Sequence, residues 1–104
     1  MDPYKPIAVR QRIPLSNREA ADDGEAEAVA LQAVAFIVGD EDLMPRFVAL
    51  TGCGGDEIRA RLAEPAFLGA VLDFLLADEP SLLSFAAAAG VAPDAPMRAR
   101  RRFP

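Results

Sequence analysis

The stretch PAFLGAVLDFLLADEPSLLSFAAAAG, residues 65–90, decides the fold of this chain. Its first half places apolar side chains on most sides of a helix, which is the pattern of a buried helix. Asp78-Glu79-Pro80 then interrupts the apolar run, because acidic residues and proline are favoured in the first turn of a new helix. A second apolar run ends at Gly90, and glycine is the residue that most often ends a helix in the left-handed conformation. The stretch therefore predicts two helices joined by a tight acidic turn, an αα-hairpin.

The same pattern occurs 38 residues earlier in the chain. When residues 27–62 are aligned without gaps on residues 65–100, landmark residues coincide. The aligned pairs are Phe36 and Phe74, Asp40-Glu41 and Asp78-Glu79, Phe47 and Phe85, Gly52 and Gly90, and Asp56 and Asp94. A period of this length indicates one supersecondary unit used twice, in which each copy buries its apolar face against the other.

We therefore predict an all-α fold, a compact bundle of about five or six helices built from two αα-hairpin pseudo-repeats. The first helix is expected from Glu25 to about Val38, and Gly39 is expected to end it in the left-handed conformation. Asp56 is a candidate N-cap for a short helix that runs to Ala63. The side chains expected to matter most for folding are Phe36, Phe47, Phe74 and Phe85.

Charge is distributed unevenly over the 104 residues. Residues 1–18 carry a net charge of +3, residues 19–97 carry −12 and residues 98–104 carry +4, which leaves −5 for the whole chain. An acidic body repels phosphate backbones, so we predict that nucleic acid is an unfavourable partner for the protein as a whole.

The same charge pattern, together with the positions of the prolines, predicts that the chain is divided into three parts. Residues 1–22 are predicted to be an extended or disordered basic arm, residues 23–97 a single helical domain, and residues 98–104 a basic tail. Pro93 and Pro96 are expected to weaken the last helix, so that the tail frays.

The composition excludes most catalytic chemistry. The chain has no histidine, which removes imidazole acid–base catalysis and imidazole metal ligation. The only lysine, Lys5, lies in the predicted arm, and the single cysteine, Cys53, cannot build a thiolate zinc site. The acidic clusters at residues 40–42 and 78–79 are interpreted as helix caps, because their spacing matches no calcium loop. We predict that the protein is not an enzyme and has no cofactor or metal ion.

Location follows from what the sequence lacks. The longest apolar stretches are shorter than the roughly 20 residues that a membrane-spanning helix requires. The first residues contain no apolar core of a secretory signal, and one cysteine cannot form an internal disulfide. These observations predict a cytoplasmic protein with no membrane span.

Five residues are candidates for interaction. Arg98, Arg100, Arg101 and Arg102 form a basic run that suits an anionic surface or nucleic acid, although docking onto the acidic body or simple solubility is favoured. Asp73 is the one charge in the most apolar helix, where a solvent-facing stripe of small residues explains it without a function.

Two functions of different classes remain. The first is a protein-interaction module, an adaptor or small regulator, that binds another protein in an apolar groove between the two hairpins. The alternative is an anion or nucleic-acid binder that works through the basic termini. A homo-oligomer is compatible with either function.

The chain also resembles a known family. The residues that carry the resemblance are LQAVAFIVGDEDLMPRFVALTG and DEIRARLAEPAFLGAVLDFLLADEPSLLSFAAAAGVAPDA, with their paired F-x-x-x-D-E turns and their L-x-G and A-x-G helix stops. These features resemble the DUF3572 proteins, small bacterial proteins of unknown function found mainly in alphaproteobacteria. The resemblance covers about residues 25–100. It implies a helical fold and supplies no catalytic or binding residues.

Overall fold

A computed structural model describes the backbone of residues 15–104 and the side chains of residues 22–104. This part of the chain forms six helices and contains no strand, so the all-α prediction is confirmed. The helices are α1 (Leu15–Val38), α2 (Leu43–Thr51), α3 (Gly55–Ala60), α4 (Pro65–Leu76), α5 (Glu79–Ala89) and α6 (Ala95–Arg100).

The first helix begins earlier than the sequence predicted. α1 starts at Leu15 rather than at Glu25, so residues 15–22, predicted to belong to the extended arm, are helical. The stretch contains no proline and includes several strong helix formers, and this local preference outweighs the polar composition that suggested an arm. The prediction for residues 1–14 lies outside the described residues.

Two of the three predicted glycine stops are left-handed. Gly52 has φ 74° and Gly90 has φ 70°, and their N–H groups donate to the carbonyls of Val48 and Ala86. Gly39 does not have a positive φ, so that part of the prediction was wrong. Its N–H still donates to the carbonyl oxygen of Ala35 at 3.0 Å, and the next N–H, of Asp40, donates to the carbonyl oxygen of Ile37 at 3.2 Å.

The short helix α3 also departs from its predicted start. Its N-cap is Gly54 rather than Asp56, and the helix ends at Ala60 rather than at Ala63. The Gly54 N–H donates to Oε1 of Glu57 at 2.8 Å, so the side chain of a residue within the helix satisfies the N-cap amide, as in a capping box.

The core lies mainly between α1 and α4, and two phenylalanines anchor it. Phe47 and Phe85 are fully buried, whereas Phe36 and Phe74 pack against the core with part of their surface exposed. All four predicted phenylalanines thus contact the core, and two of them are buried completely. The rings pair across the bundle, with centroids 5.6 Å apart for Phe36 and Phe85 and 5.2 Å apart for Phe47 and Phe74, both edge to face.

Helix ends follow the 38-residue spacing of the sequence. α1 and α4 end at Val38 and Leu76, and α2 and α5 end at Thr51 and Ala89. The ring pairs follow the same alignment. Phe36 and Phe85 form one pair, and the residues aligned with them, Phe74 and Phe47, form the other. Superposition of the two hairpins as structural repeats stays a prediction.

The last helix packs onto α1 and α4. Ala95, Pro96 and Ala99 are buried, and Phe103 packs against the core. The prediction of a fraying tail was wrong at these residues, because Pro96 lies in the first turn of α6, where its missing N–H breaks no helical hydrogen bond. Residues 98–100 are thus part of a helix of the domain, although the prediction placed them in a separate tail.

Candidate functional site

The C-terminal arginines fold back onto the acidic body of the protein. Nε of Arg100 donates to Oδ1 of Asp73 at 2.8 Å, and Nη1 of Arg100 donates to the carbonyl oxygen of Phe103 at 3.0 Å. The hydrogen bond to Asp73 raises the pKa of Arg100 above its usual value. Two of the predicted interaction residues, Asp73 and Arg100, are therefore partners of each other.

Gly69 makes room for this contact. It is a buried glycine in the middle of α4, and a Cβ atom built on it would lie 3.2 Å from Cζ and from Nη1 of Arg100 and 3.3 Å from Cβ of Phe103. The predicted solvent-facing stripe around Asp73 is therefore covered at Gly69. A glycine inside an apolar helix costs about 1 kcal/mol relative to alanine, and this cost was the sequence signal of a close approach.

Gly69→Leu tests the contact with Arg100, because this contact decides whether the variant is less or more stable than the wild type. Leucine favours a helix by about 0.8 kcal/mol over glycine, so without the contact the variant would be more stable than the wild type. We expect instead that overpacking against Arg100 lowers the free energy of unfolding by about 1–3 kcal/mol. Urea denaturation followed by circular dichroism measures this, with Ala70→Leu on the exposed side of α4 as the matched control. A stabilised Gly69→Leu protein would contradict the docked position of Arg100.

Two more arginines of the run pair with carboxylates. Nη1 of Arg98 lies 3.0 Å from Oδ2 of Asp94, and Nε of Arg102 lies 2.7 Å from Oδ1 of Asp23. Arg101 makes no ion pair with any residue that the structure describes. Since three of the four guanidinium groups already have carboxylate partners, the run presents less free positive charge than its sequence suggests.

A larger groove lies elsewhere, between α1 and α5. Its volume is about 440 Å³, and it runs along two segments, residues 28–39 and 80–91, that contain no charged residue. The residues that line it are Gln32, Ala35, Phe36, Phe85, Ala88 and Ala89. Because α1 belongs to the first helix pair and α5 to the second, this groove lies between the two hairpins.

One end of the groove is acidic. Phe36 also lines a neighbouring depression of about 260 Å³, which contains Asp40, Asp42 and Asp78 as well as Arg46. Nη2 of Arg46 lies 3.9 Å from Oδ2 of Asp78, so one cation faces three carboxylates. The groove is therefore apolar along its length and negative at this end.

The acidic residues at this end also cap helices, as the sequence predicted. Oδ1 of Asp40 accepts the N–H groups of Asp42 and Leu43 at 2.8 and 2.9 Å, at the start of α2. Asp78 accepts the Ser81 N–H at 3.3 Å and the Ser81 hydroxyl, at the start of α5. The hydroxyl bond is the main reason that the pKa of Asp78 lies below its usual value. Residues 22–104 contain no cluster of carboxylate and thiol groups arranged to hold a metal ion.

Comparison with known proteins gives one match. The family model described as "Protein of unknown function (DUF3572)" matches residues 23–104. No curated protein and no solved structure matches the chain. In the part of the chain that the structure describes, no helix combines the length and apolar character needed to cross a bilayer.

Proposed function

Since the chain belongs to the DUF3572 family, whose description names no activity, we propose its function from its surface: a cytoplasmic protein-interaction module, an adaptor or small regulator. The binding site in this proposal is the groove between α1 and α5. The partner is another protein, which inserts apolar side chains between the two helices.

The proposal rests on this groove because the groove is open, apolar and uncharged. Ala35 and Ala88 are exposed on its two walls and Phe36 is half-buried, while Phe85 lies beneath it and is fully buried. Charged residues make up 26% of the whole chain, so a charge-free surface along two helices is a departure from its surroundings. Apolar surfaces rimmed by polar residues are typical of protein-interaction sites.

The arginine run supports the alternative function less well. Arg98, Arg100 and Arg102 have intramolecular carboxylate partners, so a phosphate ligand would have to compete with Asp94, Asp73 and Asp23. Exposed ion pairs are weak, about 0–1 kcal/mol, so they alone would not prevent phosphate binding. Arg98 and Arg102 line one depression of about 180 Å³, but Asp22 and Glu25 line it too, so it holds no excess of positive charge. Anion or nucleic-acid binding through the termini stays a prediction.

Site-specific photo-crosslinking tests the proposal. A benzophenone amino acid is placed at Ala88, on the wall of the groove, and in a second protein at Arg59, on the exposed surface of α3. After irradiation in cells of the native source, we expect a discrete adduct from position 88 and none from position 59. Ala35→Glu, which places a charge on the opposite wall, should remove the adduct. Equal adducts at both positions, or none at position 88, would argue against the groove as a binding site.

A further inference from the structure

We infer that the partner in the groove between α1 and α5 is an amphipathic helix with a lysine or arginine at one end. This inference rests on the proposed function, because it names the chemistry of the partner for the same groove. The observations behind the inference are the shape of the groove, the small side chains on its walls and the charge at its end.

The walls of the groove suit a helix. Ala35, Ala88 and Ala89 are small, and small residues let the backbone of a third helix approach two others closely. The part of the chain that the structure describes has no strand, so it offers no sheet edge onto which an extended peptide could add. A helix satisfies its own backbone hydrogen bonds and needs only apolar contacts from the groove.

The charge at the end of the groove favours a basic residue. Five carboxylates lie in the two turns there, in Asp40-Glu41-Asp42 and Asp78-Glu79, and Arg46 is the one cation that lines the depression. Arg46 is itself exposed, and its 3.9 Å separation from Asp78 is the longest of the described ion pairs. The turns therefore keep an excess of negative charge, which attracts a basic group and repels an acidic one.

The spacing of the groove residues along α1 predicts where the apolar and basic residues of the partner helix lie. Gln32 and Phe36 are four residues apart on α1, which corresponds to about 6 Å along the helix axis, and Asp40 lies two residues beyond the end of this helix. A helix lying along α1 would contact Gln32 and Phe36 with apolar residues about one turn apart. Its basic residue would follow one or two turns later, beside Asp40 and Asp42.

A peptide selection tests the inference with a defined probe, a display library of random 16-residue peptides. Peptides are selected on the full chain, and the affinity of each enriched peptide is measured by fluorescence anisotropy for the wild type and three variants. Ala88→Glu blocks the groove. Asp42→Lys reverses a charge at its acidic end. Glu64→Lys is the matched control, because Asp42 and Glu64 both occupy N-cap positions without a side-chain capping bond.

We expect the enriched peptides to carry apolar residues at helical spacing with lysine or arginine toward one end. Their affinity should fall at least tenfold with Ala88→Glu, about five- to tenfold with Asp42→Lys, and less than twofold with Glu64→Lys. Peptides that depend on Ala88 but lack basic residues, or that ignore Asp42→Lys, would overturn the inference and leave the proposed function standing. A selection without any Ala88-dependent peptide would overturn the inference and count against the proposed function too. Unchanged circular dichroism spectra establish that the variants are folded.

Discussion

Phe85→Ala is expected to lower the free energy of unfolding by about 3–5 kcal/mol. The Phe85 side chain is 0% exposed and packs edge to face on Phe36, so its removal leaves a cavity as well as a loss of apolar contact. A domain of this size has a total stability of about 5–15 kcal/mol, so the loss is a large part of it. Urea denaturation followed by circular dichroism measures the change.

Leu83→Ala is the control for this prediction. Leu83 belongs to the same helix, α5, but is 49% exposed, so its truncation should cost less than about 1 kcal/mol. If Phe85→Ala unfolds the protein completely, Phe85→Leu keeps the comparison measurable with a smaller expected loss. Equal effects of Phe85→Ala and Leu83→Ala would mean that Phe85 does not belong to the core.

Ala99→Glu is expected to cost about 2–4 kcal/mol, the second-largest effect. Ala99 is 4% exposed in α6 where this helix packs against α1 and α4, so a glutamate there must bury its carboxylate or force α6 away from the domain. Release of α6 would also remove the ion pair between Arg100 and Asp73. Chemical denaturation measures the loss of stability, and amide hydrogen exchange shows whether α6 is released.

Met97→Glu is the matched control, because Met97 lies in the same helix and is 47% exposed. It should change stability by no more than about 0.5 kcal/mol. The comparison separates a docked last helix from the fraying tail that the sequence predicted. If the two glutamate variants had the same stability, the fraying tail would be the correct description.

The sequence predicted most of the helix-ending and capping residues, with Gly39 and Asp56 as exceptions, but not the long-range contacts. The acidic residues Asp40 and Asp78 cap helices as expected, and Gly52 and Gly90 adopt the left-handed conformation. These features depend on hydrogen bonds between residues close together in the chain. The start of α1 at Leu15 was missed, because helix formers and arm-like polar residues compete there and local composition does not decide between them.

The candidate sites also show the difference between local features, which the sequence predicts, and long-range contacts, which it does not. The candidate interaction residues Arg98, Arg100, Arg101, Arg102 and Asp73 were chosen by residue type, which does not show their partners within the chain. Arg100 and Asp73 are 27 positions apart, and Arg102 and Asp23 are 79 positions apart. A charge run has the same sequence whether it faces solvent or folds back, so only the packing of α6 shows which of these it does.

The sequence alone determined three features of this protein. The helical class follows from the side-chain period, and the hairpin turns follow from short-range capping. The restricted chemistry follows from which residue types are present. Tertiary structure decided where α6 docks, which arginines are paired and which helices border the groove. In residues 65–90, the segment quoted first, the apolar pattern shows that α4 is a core helix, but not that Gly69 lies under Arg100 or that Phe85 lies beside Phe36. These contacts join residues distant in the chain, and their stability comes from close packing that local sequence does not encode.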